Sequence, residues 1–189
     1  MGEFLLRLVL LLCAHTRIAT YASGHPEFTA LVQDAAQAQE VPQVLLLAVG
    51  LHESGLGSNL RTPYPWGVLA ATMRAYCARA DNRCTGVVLH DQIEASAHVL
   101  HAGFVQCGSW SGSLRRYYSG SCWSHRPRIT RAEARVRARR HRFYQQLRGY
   151  RRAVQYGERV MRSARRLEAH AVQEDAALAA SLRNLRSRS

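Results

Sequence analysis

The sequence predicts a mainly helical protein, because three features agree. The stretch from Val41 to Gly57 carries an almost unbroken apolar run, other segments repeat apolar residues at helical spacing, and no segment alternates apolar and polar residues as a half-buried strand would. Pro42 suits the first turn of a helix, where its missing N–H needs no intrahelical partner. Because this helix is apolar all round, we expect it to lie in a core.

Glu53 stands at the end of the apolar helix and is followed by Ser54, Gly55 and Gly57. Loss of water and the negative end of the helix dipole both disfavour an ionised carboxylate there, so we expect a raised pKa for Glu53. A carboxyl group with a raised pKa can serve as a general acid near neutral pH. The alternative is that Glu53 simply ends a helix and faces water, as most surface carboxylates do.

Further helices are predicted on both sides of this stretch. Residues 25–39 and 68–80 fit short helices, and residues 91–104 fit a longer one that opens at Asp91 with Glu94 as its capping-box partner. The inward-facing residues of that longer helix are Ile93, Ala97, Leu100 and Phe104.

Proline and glycine residues mark where the remaining loop and helix begin or end. Pro63 and Pro65 forbid helix and predict a loop that carries Tyr64 and Trp66, aromatic residues that either stack on a sugar or cover an edge of the core. Residues Leu114 to Ser119 predict a helix that closes on Gly120.

The charge distribution divides the chain. Residues 23–125 carry six arginines against seven acids, whereas residues 126–166 carry fifteen arginines against two glutamates. The excess of positive charge therefore lies in one segment. We predict a signal peptide at 1–22, a helical domain at 23–125 and an arginine-rich helical tail at 126–189.

The arginine-rich tail is expected to form one or two long, partly amphipathic helices. Thr130 and Glu133 predict a capping box at its start, and Gly149 and Gly157 are the expected interruptions. The apolar residues that fall on a 3-4 spacing include Leu147, Val154, Met161 and Ala164.

The first residues indicate export. An apolar run from Leu8 to Cys13 is followed by small residues and an acceptable cleavage site at Thr20-Tyr21-Ala22, which fits a signal peptide; a short membrane anchor is the alternative. We therefore predict an exported protein of the periplasm or cell envelope.

Four cysteines remain after the signal, and an exported chain normally pairs them in disulfides. We favour Cys77 with Cys84 and Cys107 with Cys122, because each pair closes a loop that already contains turn residues. Zinc is the alternative, although no pair has the Cys-x-x-Cys spacing that would support it.

Several catalytic motifs are missing. The metalloprotease motif needs a histidine four residues after His52, where the chain has Leu56, and no G-x-S-x-G elbow is present. Glu94, His98 and His101 share a helix face, but histidines on an amphipathic helix are usually ordinary boundary residues. We expect neither a metal nor a cofactor.

The motifs and their order resemble the lysozyme-like soluble lytic transglycosylases, most closely the small exported members associated with type IV secretion, conjugation and phage. The family's Glu-Ser-x-Phe/Leu motif matches residues 53–56, its Gly-Leu-Met-Gln motif matches 67–70, and its Tyr-Asn-Ala-Gly motif matches 117–120. The resemblance covers residues 25–125. Ala70 replaces the usual glutamine and Tyr118 the usual asparagine.

The resemblance implies a lysozyme-like fold and cleavage of the β-1,4 bond between N-acetylmuramic acid and N-acetylglucosamine in peptidoglycan. Glu53 would act as the single general acid and base, and Tyr117 would hold it in position. The residues implied to bind substrate are Ser54, Trp66, Gly67, Val68, Tyr117 and Tyr118. A hydrolysing glycosidase would need a second carboxylate roughly 5–9.5 Å from the first, and Asp81, Asp91 and Glu94 are unattractive candidates.

The arginine-rich tail allows several partners: an anionic cell-wall polymer, a membrane surface or a protein of a secretion machine. Nucleic acid is less favoured, because no fold-level nucleic-acid motif is present. An inactive lysozyme-like module that serves in assembly is a further alternative for the whole protein. On this division of the chain, deletion of residues 126–189 is expected to weaken binding to anionic polymers and to leave cleavage intact.

Overall fold

The computed structural model describes residues 27–54, 68, 70–79, 84 and 89–186. Its helices are α1 (Phe28–Ala38), α2 (Gln43–Ser54), α3 (Ala70–Arg79), α4 (Leu89–Cys107), α5 (Trp110–Ser119), α6 (Arg131–Ala134) and α7 (Arg137–Arg186). No strand occurs within these described ranges. The predicted mainly helical class is confirmed, whereas the predicted signal peptide and the loop with Tyr64 and Trp66 lie outside the described residues.

Five helices close a ring of contacts around one core. Helix α1 packs on α2, α2 on α7, α7 on α5, α5 on α4, and α4 returns to α1. Leu46, Ala48 and Val49 of α2 are fully buried, as expected for a helix that is apolar all round. The other helices contribute fully buried side chains at Phe28, Val32, Ile93, Leu100, Leu114 and Val160.

The connection between α1 and α2 is tight and sets the direction of α2. Glu40 adopts a left-handed conformation (φ 52°), and the Val41 N–H then donates to the Ala36 carbonyl at 2.9 Å. This closes α1 in the manner of a Schellman motif. The Pro42 carbonyl accepts the first hydrogen bonds of α2, so Pro42 immediately precedes the helix, close to its predicted place.

Helices α4 and α5 approach closely at Gly103. A Cβ atom at this position would lie 2.6 Å from Ser113 Oγ, and that hydroxyl donates to the Leu100 carbonyl at 2.6 Å. Helix α5 then ends at Gly120, which takes the left-handed conformation (φ 77°) and donates its N–H to the Arg116 carbonyl. The predicted closure on glycine is confirmed.

The predicted start of α4 is wrong. The helix begins at Leu89 rather than Asp91, so Asp91 and Glu94 form no capping box. His90 instead lies 3.5 Å from Asp91 and 3.3 Å from Glu94. The two residues before Asp91 already have helical conformation, and a capping residue must lie outside the helix.

Phe104, expected to face inward, is 36% exposed and stacks on Trp110.

Helix α7 is continuous over 50 residues, so the predicted interruptions at Gly149 and Gly157 are wrong. Gly157 is buried against α5, where an added Cβ would meet only ordinary contacts at 3.6–3.7 Å. The predicted apolar seam is also shifted, because Val154 and Met161 are only partly buried. Among the described side chains of α7, the buried ones are Leu147, Ala153, Tyr156, Gly157, Val160, Ala164 and Leu167.

The arginine-rich tail thus contributes part of the core. Its capping box of Thr130 and Glu133 is confirmed, but the helix that it starts, α6, has only four residues. The following helix α7 packs on α2 and α5. The boundary between residues 125 and 126 stays a prediction, yet the structure attaches the segment after it to the helices before it.

Both predicted disulfides are present. Cys77 pairs with Cys84 and Cys107 with Cys122, with Cα–Cα distances of 5.1 and 5.5 Å. The first ties down the end of α3, whose Met73 packs against Ala95 of α4 together with Val68, which precedes the helix. Among the described residues, no helix is both long enough and apolar enough to cross a membrane.

Candidate active site

Glu53 lies at the end of α2, partly buried, with its carboxylate against α7. The Tyr156 hydroxyl donates a hydrogen bond to Glu53 Oε1 at 2.5 Å across 103 residues of sequence. One residue earlier, His52 Nε2 lies 2.9 Å from Ser163 Oγ, also on α7. Two hydrogen bonds therefore attach the end of the buried helix to the arginine-rich helix.

The environment raises the pKa of Glu53, as predicted. Burial removes water from the carboxylate and is the larger effect, while the hydrogen bond from Tyr156 favours the ionised form and opposes it in part. The pKa of His52 is lowered, first by loss of water and then by the charge of Arg159. Glu53 thus retains its proton at a higher pH than an exposed glutamate, while His52 beside it favours the neutral form.

Tyr156 is the principal site residue that the sequence analysis missed. Its side chain is 4% exposed, and its ring stacks on that of Tyr118 with centroids 4.9 Å apart. Burial raises its pKa, and the charge of Glu53 raises it further. Tyr156 therefore stays protonated and remains a donor. The spacing Ala153, Tyr156, Val160, Ala164 and Leu167 is the signal that could have found it.

Tyr117 lies close to Glu53 but has a different hydroxyl partner from the one expected. Its hydroxyl is 3.0 Å from Ser96 Oγ on α4. Burial raises the pKa of Tyr117, and the nearby charge of Glu53 adds to the increase. The positioning role that the resemblance implied for Tyr117 stays a prediction, whereas the hydrogen bond from Tyr156 is observed.

An open groove of about 610 Å³ lies between α3, α4 and the end of α5. Its wall includes the whole of the 117–120 motif and the side of α4 that carries His98. Tyr118 is 46% exposed there and links the groove to Glu53 through its stack on Tyr156. The lining residues are Thr72, Ala75, Tyr76, His98, Val99, Ala102, Arg116, Tyr117, Tyr118, Ser119 and Gly120.

Two polar side chains of α4, Glu94 and His98, have hydrogen-bond partners on other segments. Glu94 Oε2 accepts a hydrogen bond from the Tyr76 hydroxyl at 3.0 Å, and burial together with this bond raises the pKa of Tyr76 to about 12. His98 Nδ1 lies 3.2 Å from Gln39 Oε1. Among the described residues, no cluster of three or more histidine, cysteine or acidic side chains could hold a metal ion.

The structure brings together only some of the predicted site residues. Glu53, Tyr117 and Tyr118 gather around Tyr156, while Val68 is 3% exposed and is buried in a separate cluster with Met73. Ser54 ends α2, but its side chain is outside the described part, as are Trp66 and Gly67.

Comparisons with protein-family models, curated proteins and solved structures found no match to this chain.

Proposed function

We propose that this protein is a peptidoglycan lytic transglycosylase of the lysozyme-like kind, with Glu53 as its single general acid and base. The observation that carries the proposal is the setting of Glu53: a partly desolvated carboxyl group that receives a hydrogen bond from Tyr156, whose ring stacks on Tyr118 in the wall of an aromatic-lined groove. Such a carboxyl group can hold a proton near neutral pH and donate it to a leaving oxygen.

In the proposed reaction, Glu53 first protonates the oxygen of the bond between N-acetylmuramic acid and N-acetylglucosamine. The resulting carboxylate then takes the proton from the C6 hydroxyl of the muramic acid as that oxygen attacks C1. The products are a 1,6-anhydro sugar and a free sugar hydroxyl, and Glu53 regains its proton. Water takes no part, so a second carboxylate is not required.

The neighbouring residues support this use of Glu53. The Tyr156 hydroxyl holds one carboxylate oxygen and stabilises the ionised form between the two proton transfers. The exposed Tyr118 ring offers a surface on which a sugar ring could stack in the groove. The two disulfides are compatible with action outside the reducing cytoplasm, and we place the enzyme in the periplasm or cell envelope.

Digestion of purified peptidoglycan by the full chain tests the proposal. We expect 1,6-anhydro products, each one water lighter than the hydrolysis product, by liquid chromatography and mass spectrometry. Glu53→Gln keeps an acceptor for Tyr156 but carries no proton to donate, so the rate should fall by about 10²–10⁴-fold. Glu158→Gln, an exposed glutamate on α7, is the matched control and should retain activity.

Other products would replace the proposal. Ordinary reducing ends would show hydrolysis, and equal activity in Glu53→Gln would exclude Glu53 as the acid. An inactive assembly module is the second candidate, favoured by Ala70 and Tyr118 where the family has polar residues. A folded wild-type chain that binds peptidoglycan without cleaving it would support that candidate.

A further inference from the structure

A row of arginines follows the side of α7 that faces away from the core. Arg148, Arg151, Arg152, Arg162 and Arg166 are all exposed, and we refer to them as the arginine row. At 100° per residue, the row is centred about 140° around the helix from the buried face that carries Tyr156. Eighteen residues separate its ends, so the row is about 27 Å long.

The described part of the chain does not neutralise the arginine row. Glu158 is the single acid between residues 148 and 166, and within the described part of the chain no carboxylate forms an ion pair with the row. Charges of one sign held on a rigid element create a field that attracts a polyanion. The row therefore has the charge of a docking surface, and no described carboxylate is paired with it.

The packing of α7 favours a partner with a flat surface over one with a narrow groove. An isolated helix can enter the major groove of DNA, which is about 12 Å wide and admits a helix of about 10–12 Å diameter. Helices α2 and α5 cover the opposite side of α7 around Tyr156, Gly157 and Val160, so these neighbours would meet the groove walls. A nearly flat array of phosphates fits a straight, exposed row better.

The row also lacks the residues that an inserting helix needs. An amphipathic helix binds a bilayer by burying its apolar face among the acyl chains, but the apolar face of α7 between Tyr156 and Leu167 is buried in the core of the protein. Binding between these residues must then rest mainly on charge, at the level of the lipid headgroups. It must weaken as salt shortens the Debye length from about 10 Å to about 3 Å between 0.1 M and 1 M.

We propose that the arginine row docks this protein on the surface of an anionic phospholipid bilayer, without insertion. The proposal does not depend on cleavage by Glu53, and it would hold equally for an inactive module.

Sedimentation of the full chain with vesicles tests the proposal. One set of vesicles is phosphatidylcholine alone and the other contains about a quarter phosphatidylglycerol; the neutral set measures any binding through apolar segments. We expect binding to the anionic vesicles only, and its loss at high salt. Each arginine near an anionic surface contributes about a fivefold increase in partitioning, so replacing all five arginines of the row by glutamine should lower binding by about 3,000-fold.

The matched control replaces five exposed arginines elsewhere by glutamine and so removes the same charge: Arg74, Arg126, Arg128, Arg131 and Arg135. It should lower binding far less than replacement of the row, and far-ultraviolet circular dichroism checks that both variants are folded. Equal losses in the two variants would overturn the proposal, because net charge alone would then explain binding. Tight binding to a random-sequence DNA duplex with none to anionic vesicles would overturn it in favour of nucleic acid.

Discussion

Removal of the Tyr156 hydroxyl should raise the pKa of Glu53 further. In the folded protein this hydroxyl donates to Glu53 Oε1 at 2.5 Å and stabilises the carboxylate, against the larger opposing effect of burial. In Tyr156→Phe only the effect of burial remains. The ring, which is 4% exposed and stacked on Tyr118, keeps its packing.

The size of the change follows from the kind of hydrogen bond that is lost. A hydrogen bond to an ionised group contributes about 1.5–3 kcal/mol. Glu53 is only partly buried, so water can replace some of the lost interaction and we expect a value near the lower end. A difference of about 1.4 kcal/mol shifts the ionisation equilibrium roughly tenfold toward the protonated acid.

Carbon-13 NMR of glutamate side-chain carboxyls measures this shift without any need for activity. The resonance that disappears in Glu53→Gln identifies Glu53, and its titration is compared between the wild type and Tyr156→Phe. Tyr144→Phe is the control, because Tyr144 lies on the same helix and is 59% exposed; its titration should match the wild type. A Glu53 midpoint in Tyr156→Phe that is unchanged or lower would refute the reasoning. If the wild type cleaves peptidoglycan with protonated Glu53, the loss of activity at high pH should move upward in the same variant.

Three further expectations concern the packing around the site. Deletion of residues 126–189, expected from the sequence to leave cleavage intact, should instead abolish the cooperative thermal transition, because it removes core side chains and a partner of Glu53; a cooperative, active truncation would show that α7 is dispensable. Gly157→Ala should raise the free energy of unfolding by about 0.5–1 kcal/mol in urea titrations, since a glycine is lost from a helix interior and the nearest atom to the new Cβ, Ser111 O, is 3.6 Å away. Gly103→Ala should instead lower it by about 1–3 kcal/mol, because its Cβ would lie 2.6 Å from Ser113 Oγ; equal effects of the two substitutions would contradict the contacts described at both helices.

The sequence by itself determined the features that depend on neighbours along the chain. The burial of α2 follows from its unbroken apolar composition, and the raised pKa of Glu53 follows from its place at the end of that helix. The closure of α5 on Gly120 depends on a single left-handed residue. Both disulfides also close short loops whose turn residues are visible in the sequence.

Local patterns failed where packing between distant segments decided the outcome. Gly157 has a weak helix propensity, but α7 remains helical through it because the position is buried against α5. The seam of α7 was misplaced because small residues, Ala153 and Gly157, lie on the buried face where larger apolar residues were expected. Asp91 and Glu94 matched a capping box, but the helix already extends to Leu89.

The hydrogen bond between Glu53 and Tyr156 is the part of the site that only the tertiary structure could supply. The charge of the arginine-rich segment predicted a tail, because its few buried residues are hard to recognise in a sequence that contains fifteen arginines. Those few residues are enough to pack α7 on α2 and α5, because removing even a narrow apolar face from water is favourable. The arginines on the other side of the helix remain in water. One helix therefore holds the candidate catalytic acid from its buried side and presents a row of positive charge on its exposed side.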